Sequence, residues 1–177
     1  MIYKEKPEMV STVRELGGWR TTITMDVREL TSKELAAYND GQPEEESVAT
    51  AWTGEEIAAL HHQDRCPDMK QVRQLIVRHI DAQTDAKILQ GFAWQGHPVW
   101  LSAENQFNFK AAFDLAMQTE GATLPVTFKL GERYGQPVYH TFETMDDFRD
   151  FYVGAMGYIQ RCLQEGWKEK DELIVDS

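Results

Sequence analysis

Cysteine is scarce in this 177-residue chain: there are two, Cys66 next to Pro67 in a polar stretch and Cys162 on an apolar helical face. Two cysteines without framework spacing do not make a disulfide scaffold, so two reduced thiols are expected. Long hydrophobic runs are also missing. Nothing approaches the roughly 18 apolar residues of a membrane span, and the opening MIYKEKP lacks the apolar segment of a signal peptide. Neither membrane insertion nor export by a signal peptide is expected. Basic residues are few, with 18 Lys and Arg against 29 Asp and Glu, a formal net charge of −11. No basic stripe offsets that balance, which argues against a nucleic-acid ligand. There is no Gly-x-Ser-x-Gly elbow, no phosphate-cradling glycine loop and no dinucleotide fingerprint, so no catalytic residue, cofactor site or metal site is assigned.

What the chain does have is 42% hydrophobic residues and five tryptophans, enough for a real core in one ordinary domain or two small ones. The aromatics are densest in residues 92–117, FAWQGHPVWLSAENQFNFKAAFDLAM. Two short apolar runs, Phe92-Ala93-Trp94 and Val99-Trp100-Leu101, flank Gln95-Gly96-His97-Pro98 at hairpin spacing. Ser102 then occupies an N-cap position, Glu104 falls in the first turn, and Phe109, Ala112, Phe113 and Ala116 recur on one helical face. A hairpin running straight into an amphipathic helix is the expected nucleus.

Before it, residues 19–27 alternate strictly, with Trp19, Thr21, Ile23, Met25 and Val27 on one face, which predicts a half-buried strand. Gly17-Gly18 separates it from residues 2–16, read as a separate arm or a short first element. Thr31 and Glu34 have capping-box spacing ahead of a short helix ended by Asn39-Asp40-Gly41, and residues 42–47 form an acidic loop. Residues 48–52 read as a second strand. Thr53 and Glu56 repeat the capping-box spacing, predicting a helix through Ile57, Ala58, Ala59 and Leu60. After a polar joint at residues 61–64, a helix starts at Pro67-Asp68 with an apolar stripe of Met69, Val72, Leu75, Ile76, His79 and Ile80, is broken at residues 81–85, and gains one further turn at residues 86–89.

Beyond the nucleus, Gly121 stops the helix, and residues 124–130 and 138–142 alternate as a second hairpin around a turn at residues 131–136. Thr144 caps the last helix, with Asp147 three residues on. Its buried face is Phe148, Phe151, Tyr152, Ala155, Met156, Ile159, Cys162 and Leu163, and Gly166 is expected to end it, leaving a charged tail that frays after Trp167. The assembled expectation is an α+β fold: a small antiparallel sheet built from hairpins with amphipathic helices packed on one face, residues 67–177, plus a smaller N-terminal β/α unit, residues 1–66.

Three groups of residues have side chains suited to chemistry. His61, His62 and Cys66 are metal-ligand types, but adjacent histidines do not easily face one ion and no fourth ligand is placed, so a solvated joint is the plainer reading. His79 falls on an apolar stripe, where a hydrogen-bonded core or interface histidine is the plain expectation. The amides Asn105, Gln106 and Asn108 with Glu104 sit beside Trp94, Trp100, Phe107 and Phe109, a combination that suits a peptide or glycan surface. Against that stands capping plus a network tying helix to hairpin. Paired carboxylates for glycosidic chemistry could be drawn from Glu104, Asp114, Asp146 or Asp147, but helix starts collect acids for electrostatic reasons alone.

The run WLSAENQFNFKAAFDLA, followed by LPVTFKLG, a Pro-x-Tyr-x-x-Phe strand and FYVGAMGYIQRCLQEGWKEKD, resembles an uncharacterised domain family found near tail and tail-fibre genes of tailed phages and prophages, especially those of gut Bacteroidales. The resemblance covers about residues 67–173, with Trp100-Leu101, Asn105-Gln106, the strand at 124–129 and the last helix as its most specific parts. It implies a virion tail component, a fibre-associated module or a fibre-assembly helper, made in the host cytoplasm, working as a homo-oligomer in contact with other tail proteins. It supplies no catalytic residues, and it leaves residues 1–66 as a unit for attachment to neighbours. The side chains expected to meet a partner are Trp94, Trp100, Asn105, Gln106, Phe107 and Tyr139. A glycan-binding or glycan-cleaving module built on Trp94, Trp100 and Glu104 is the reading from another class.

Overall fold

The alternation of residues 19–27 builds the longest strand, and the first sheet is assembled around it. In the computed structural model, which describes residues 1–173, this strand is β3 (Gly18–Glu29), preceded by β1 (Ile2–Tyr3) and β2 (Val10–Glu15) and followed by α1 (Ser32–Asn39) and β4 (Trp52–His62). They form one antiparallel sheet in the order β1-β4-β3-β2. Thr21, Ile23 and Met25 of β3 are buried, as the alternation predicts, but so is Thr24, where a register shift against β4 follows Ile23 and interrupts the strict alternation. Residues 2–16 are no separate arm: β1 and β2 both join the sheet.

The capping box at Thr31 is formed, with Glu34 N–H donating to Thr31 Oγ1 and Thr31 N–H donating to the Glu34 carboxylate. The matching spacing at Thr53 misleads. Residues 53–60 are strand, paired with β3 from Trp19↔His62 to Glu29↔Trp52. Pairing with a long half-buried neighbour outweighs a local helix signal, because strand preference is mostly a matter of what a segment packs against. The strand expected at residues 48–52 begins only at Trp52. Val48 is held instead by the Asn39 side chain, which donates to its carbonyl (2.9 Å) and accepts from its N–H (3.2 Å).

The helix α2 (Met69–Gln90) runs unbroken through residues 81–85. Those residues include no proline or glycine, and Ala82, Gln83 and Ala86 are good helix formers. The described residues divide into two compact units, Met1–His79 and Ile80–Leu173, and the division falls within α2.

In the second unit come β5 (Phe92–Trp94), β6 (His97–Val99), α3 (Ala103–Gln118), β7 (Val126–Arg133), β8 (Gln136–Phe142) and α4 (Met145–Asp171). Each hairpin turns on two residues with positive φ, Gln95-Gly96 (48° and 79°) and Tyr134-Gly135 (53° and 74°), the conformation that matches the twist of antiparallel strands. The second turn is therefore tighter than residues 131–136, and both strands extend into that range. The two hairpins remain separate ladders, linked by the Trp100 N–H donating to the Leu130 carbonyl at 2.7 Å.

Ser102 and Thr144 cap α3 and α4 as expected. Gly166 does not end α4, which continues to Asp171. It is a buried interior residue whose missing side chain lets Thr84 of α2 approach. Of the expected tail, residues 167–171 are helical and the last four residues lie outside those described.

Phenylalanines fill the core of this unit. Phe109, Phe142, Phe148 and Phe151 are fully buried, each worth about 1.5–3 kcal/mol by burial alone. Their rings meet edge-on (Phe109–Phe151, centroids 5.1 Å apart) or stacked (Phe142–Phe148, 4.9 Å), the geometries that the ring quadrupole favours. Cys162 is buried beside them and Cys66 is exposed, both as free thiols.

Candidate functional site

Alternation along β7 and β8 sorts the second hairpin into two faces. Phe128, Leu130 and Phe142 turn into the core; Thr127, Lys129, Tyr139 and Thr141 turn outward. On the outer face Lys129 stands opposite Tyr139, and next to them the Thr127 and Thr141 hydroxyls share a hydrogen bond of 2.8 Å. Trp100 joins this face. Lys129 Nζ lies 5.8 Å from the centre of its ring, within cation–π range, and also donates to Glu132 at 2.9 Å. Trp100 is 41% exposed and Tyr139 65%.

Trp100 is held there by its backbone. Trp100 and Leu101 belong to no helix or strand, so their four peptide groups need partners from elsewhere. All four find one. The Trp100 N–H donates to Leu130 O and the Leu101 N–H to Leu89 O (3.2 Å). Asn105 Nδ2 donates to Trp100 O at 2.9 Å, and Gln106 Nε2 donates to Leu101 O at 2.6 Å. Gly131 completes the fit, since a Cβ there would stand 2.8 Å from the Pro98 carbonyl oxygen and 3.5 Å from the Trp100 ring. The two amides thus tie helix to hairpin, and what they fix in place is an indole ring facing outward.

The remaining candidates lie elsewhere. Trp94 is half-buried and meets Phe151 edge-on at 5.6 Å, its indole N–H enclosed without a hydrogen-bond partner. Phe107 is 70% exposed and belongs to a strip on α3 with Ala111 and Leu115 at four-residue spacing. Of the acids considered for glycosidic chemistry, Asp114 pairs with Lys110, Asp146 with Arg149 and Asp147 with His140. Lys129 was not anticipated. Its signal was legible in the alternation of residues 124–130, but its place opposite Tyr139 follows only from the Tyr134-Gly135 turn together with the register shift between Lys129 and Gly131.

In the first unit, His61 and His62 line a cleft of about 270 Å³ with Glu15, Leu16 and Trp19. Both ring nitrogens of His62 are engaged: Nδ1 with the Asp64 carbonyl (2.6 Å) and Nε2 with Thr21 Oγ1 (2.7 Å). A carbonyl only accepts, so Nδ1 carries the proton, and in the neutral ring Nε2 accepts from Thr21, which in turn accepts from Thr12 at 2.7 Å. His62 is therefore a structural tie across the sheet. His61 lies 3.7 Å from Glu15 at the surface.

Comparison of the chain with protein-family models, with curated proteins and with solved structures finds no match in any of the three.

Proposed function

We propose that this chain is a non-enzymatic tail-associated protein of a tailed phage or prophage, acting through protein–protein contacts as a homo-oligomer, with the outer face of the second hairpin as its principal contact surface. The observation that carries the contact surface is Trp100: the Trp100-Leu101 backbone is clamped at four points, two on each residue, while Trp100 stays 41% exposed beside Lys129 and Tyr139. A large aromatic held rigid before binding loses little entropy when a partner covers it, and Trp and Tyr are frequent anchors of interfaces. The tail context rests on the sequence resemblance of residues 67–173, whose most specific parts include the same Trp100-Leu101 and Asn105-Gln106.

The test is mass spectrometry of purified particles from a phage or induced prophage carrying the gene, together with the native mass of the isolated protein. A tail component is present in intact particles at a fixed ratio to other tail proteins. If the chain is missing from particles yet needed for a fibre to fold on co-expression, it is an assembly helper. If it is missing and the fibre folds without it, the tail reading fails.

A further inference from the structure

The bulge in β3 brings together three metal-ligand side chains that are far apart in sequence. Met25 pairs with Glu55 and Arg28 with Thr53, so Asp26 and Val27 stand opposite the single residue Gly54. Asp26 takes the left-handed conformation (φ 55°) used by one class of bulge, one that Asp tolerates better than most residues. A bulge re-aims the side chain it displaces. Here the Asp26 carboxylate lies 3.3 Å from His79 Nε2 of α2, and Glu55 of β4 lies beside both. One ligand atom from each of the three residues lies within 4.8 Å of the other two.

We propose that Asp26, Glu55 and His79 form a binding site for a divalent transition-metal ion such as Zn²⁺. Around a tetrahedral zinc ion, donors about 2.0–2.2 Å from the metal stand about 3.3–3.6 Å apart, so side-chain rotations that bring the donors together by up to about 1.5 Å close the site. The donor set selects the class of ion. An imidazole nitrogen with two carboxylates suits zinc or manganese, whereas calcium and magnesium take oxygen alone. His79 comes from the apolar stripe of α2 with its side chain only 15% exposed, so the ring's position is set by the helix. The carboxylates open to solvent on the other side, leaving room for water to complete the coordination.

The experiment is titration of the full-length chain, stripped with chelator, with ZnCl₂ in a calorimeter. One equivalent of Zn²⁺ is expected per chain. His79→Gln, Asp26→Asn and Glu55→Gln should each weaken it by about 10- to 100-fold or more, while His61→Gln with Cys66→Ser leaves it unchanged. Asn keeps the left-handed preference at position 26, and Glu55 is exposed, so at least these two variants test ligation in a folded chain. Mn²⁺ added to the unaltered protein should broaden the His79 ring resonances before those of the other four histidines. No Zn²⁺ binding at millimolar metal, or binding that survives His79→Gln and Asp26→Asn but is lost with His61→Gln and Cys66→Ser, overturns the site.

Discussion

Gly166 in α4 rests against the side chain of Thr84 in α2, so closely that a methyl group on its Cα would run into the threonine hydroxyl. A glycine inside a helix costs about 1 kcal/mol relative to alanine, and at this position the contact between two helices is what offsets it. Gly166→Ala should therefore lower stability by about 1–3 kcal/mol in urea denaturation, the cost of overpacking. Gly157, nine residues earlier in the same helix, meets only the Arg161 guanidinium at an ordinary 3.7 Å. Gly157→Ala should leave stability unchanged or raise it by up to about 1 kcal/mol.

Phe151 touches Phe92, Trp94, Phe109 and Phe142 and is fully buried. Phe151→Ala is expected to cost about 3–5 kcal/mol, or to prevent folding of the second unit outright. Phe107, on the same unit but largely exposed, should tolerate alanine within about 0.5 kcal/mol. Circular-dichroism melts of the two variants separate the core ring from the surface ring.

Trp100→Ala and Tyr139→Ser probe the outer face without opening the core. Each should shift stability by no more than about 1 kcal/mol, while the double variant loses incorporation into particles or self-association. Asn105→Ala tests the clamp: it frees the Trp100 carbonyl, so the ring should show greater mobility in side-chain NMR with a smaller loss of partner binding. Unchanged incorporation of the double variant would remove this face from consideration.

The carboxylate of Glu34 accepts from the Arg28 guanidinium at 2.7 and 2.9 Å and from the Thr31 N–H and hydroxyl, which hold its pKa far below the usual 4.5. The unfolded chain takes up this proton near the usual value and the folded chain only at lower pH. The contribution is thus complete at neutral pH and is lost as the pH falls below about 4.5. Glu34→Gln should be less stable than the parent at pH 7, and the difference should shrink by about pH 3. A ¹³C titration of the Glu34 carboxyl checks the same point directly.

Local signals carried the α+β class, the hairpin into α3 and the caps at Thr31, Ser102 and Thr144, because these depend on residues within a few positions of one another. The break expected in α2 at residues 81–85 was a local misreading, but two other errors came where distant residues decide. Residues 53–60 spell a helix start and become strand because β3 lies alongside. Gly166 spells a helix stop and becomes an interior contact because Thr84 is there. The same limit applies to the sites. Trp100, Asn105 and Gln106 are neighbours in sequence and stood out together, whereas Asp26, Glu55 and His79 are brought together by a bulge that no local pattern announces.

The shortness of β1 has one more effect. It covers only Trp52 and Thr53, so among the described residues no strand pairs with residues 55–62 of β4 on the side away from β3. An open sheet edge invites a second chain to add its own strand, the first step towards fibrous aggregation. Glu55, Glu56, His61 and His62 lie along this edge in a chain of net charge −11. Self-templating is thus opposed by like-charge repulsion instead of by a covering strand, and this protection weakens under high salt or acid.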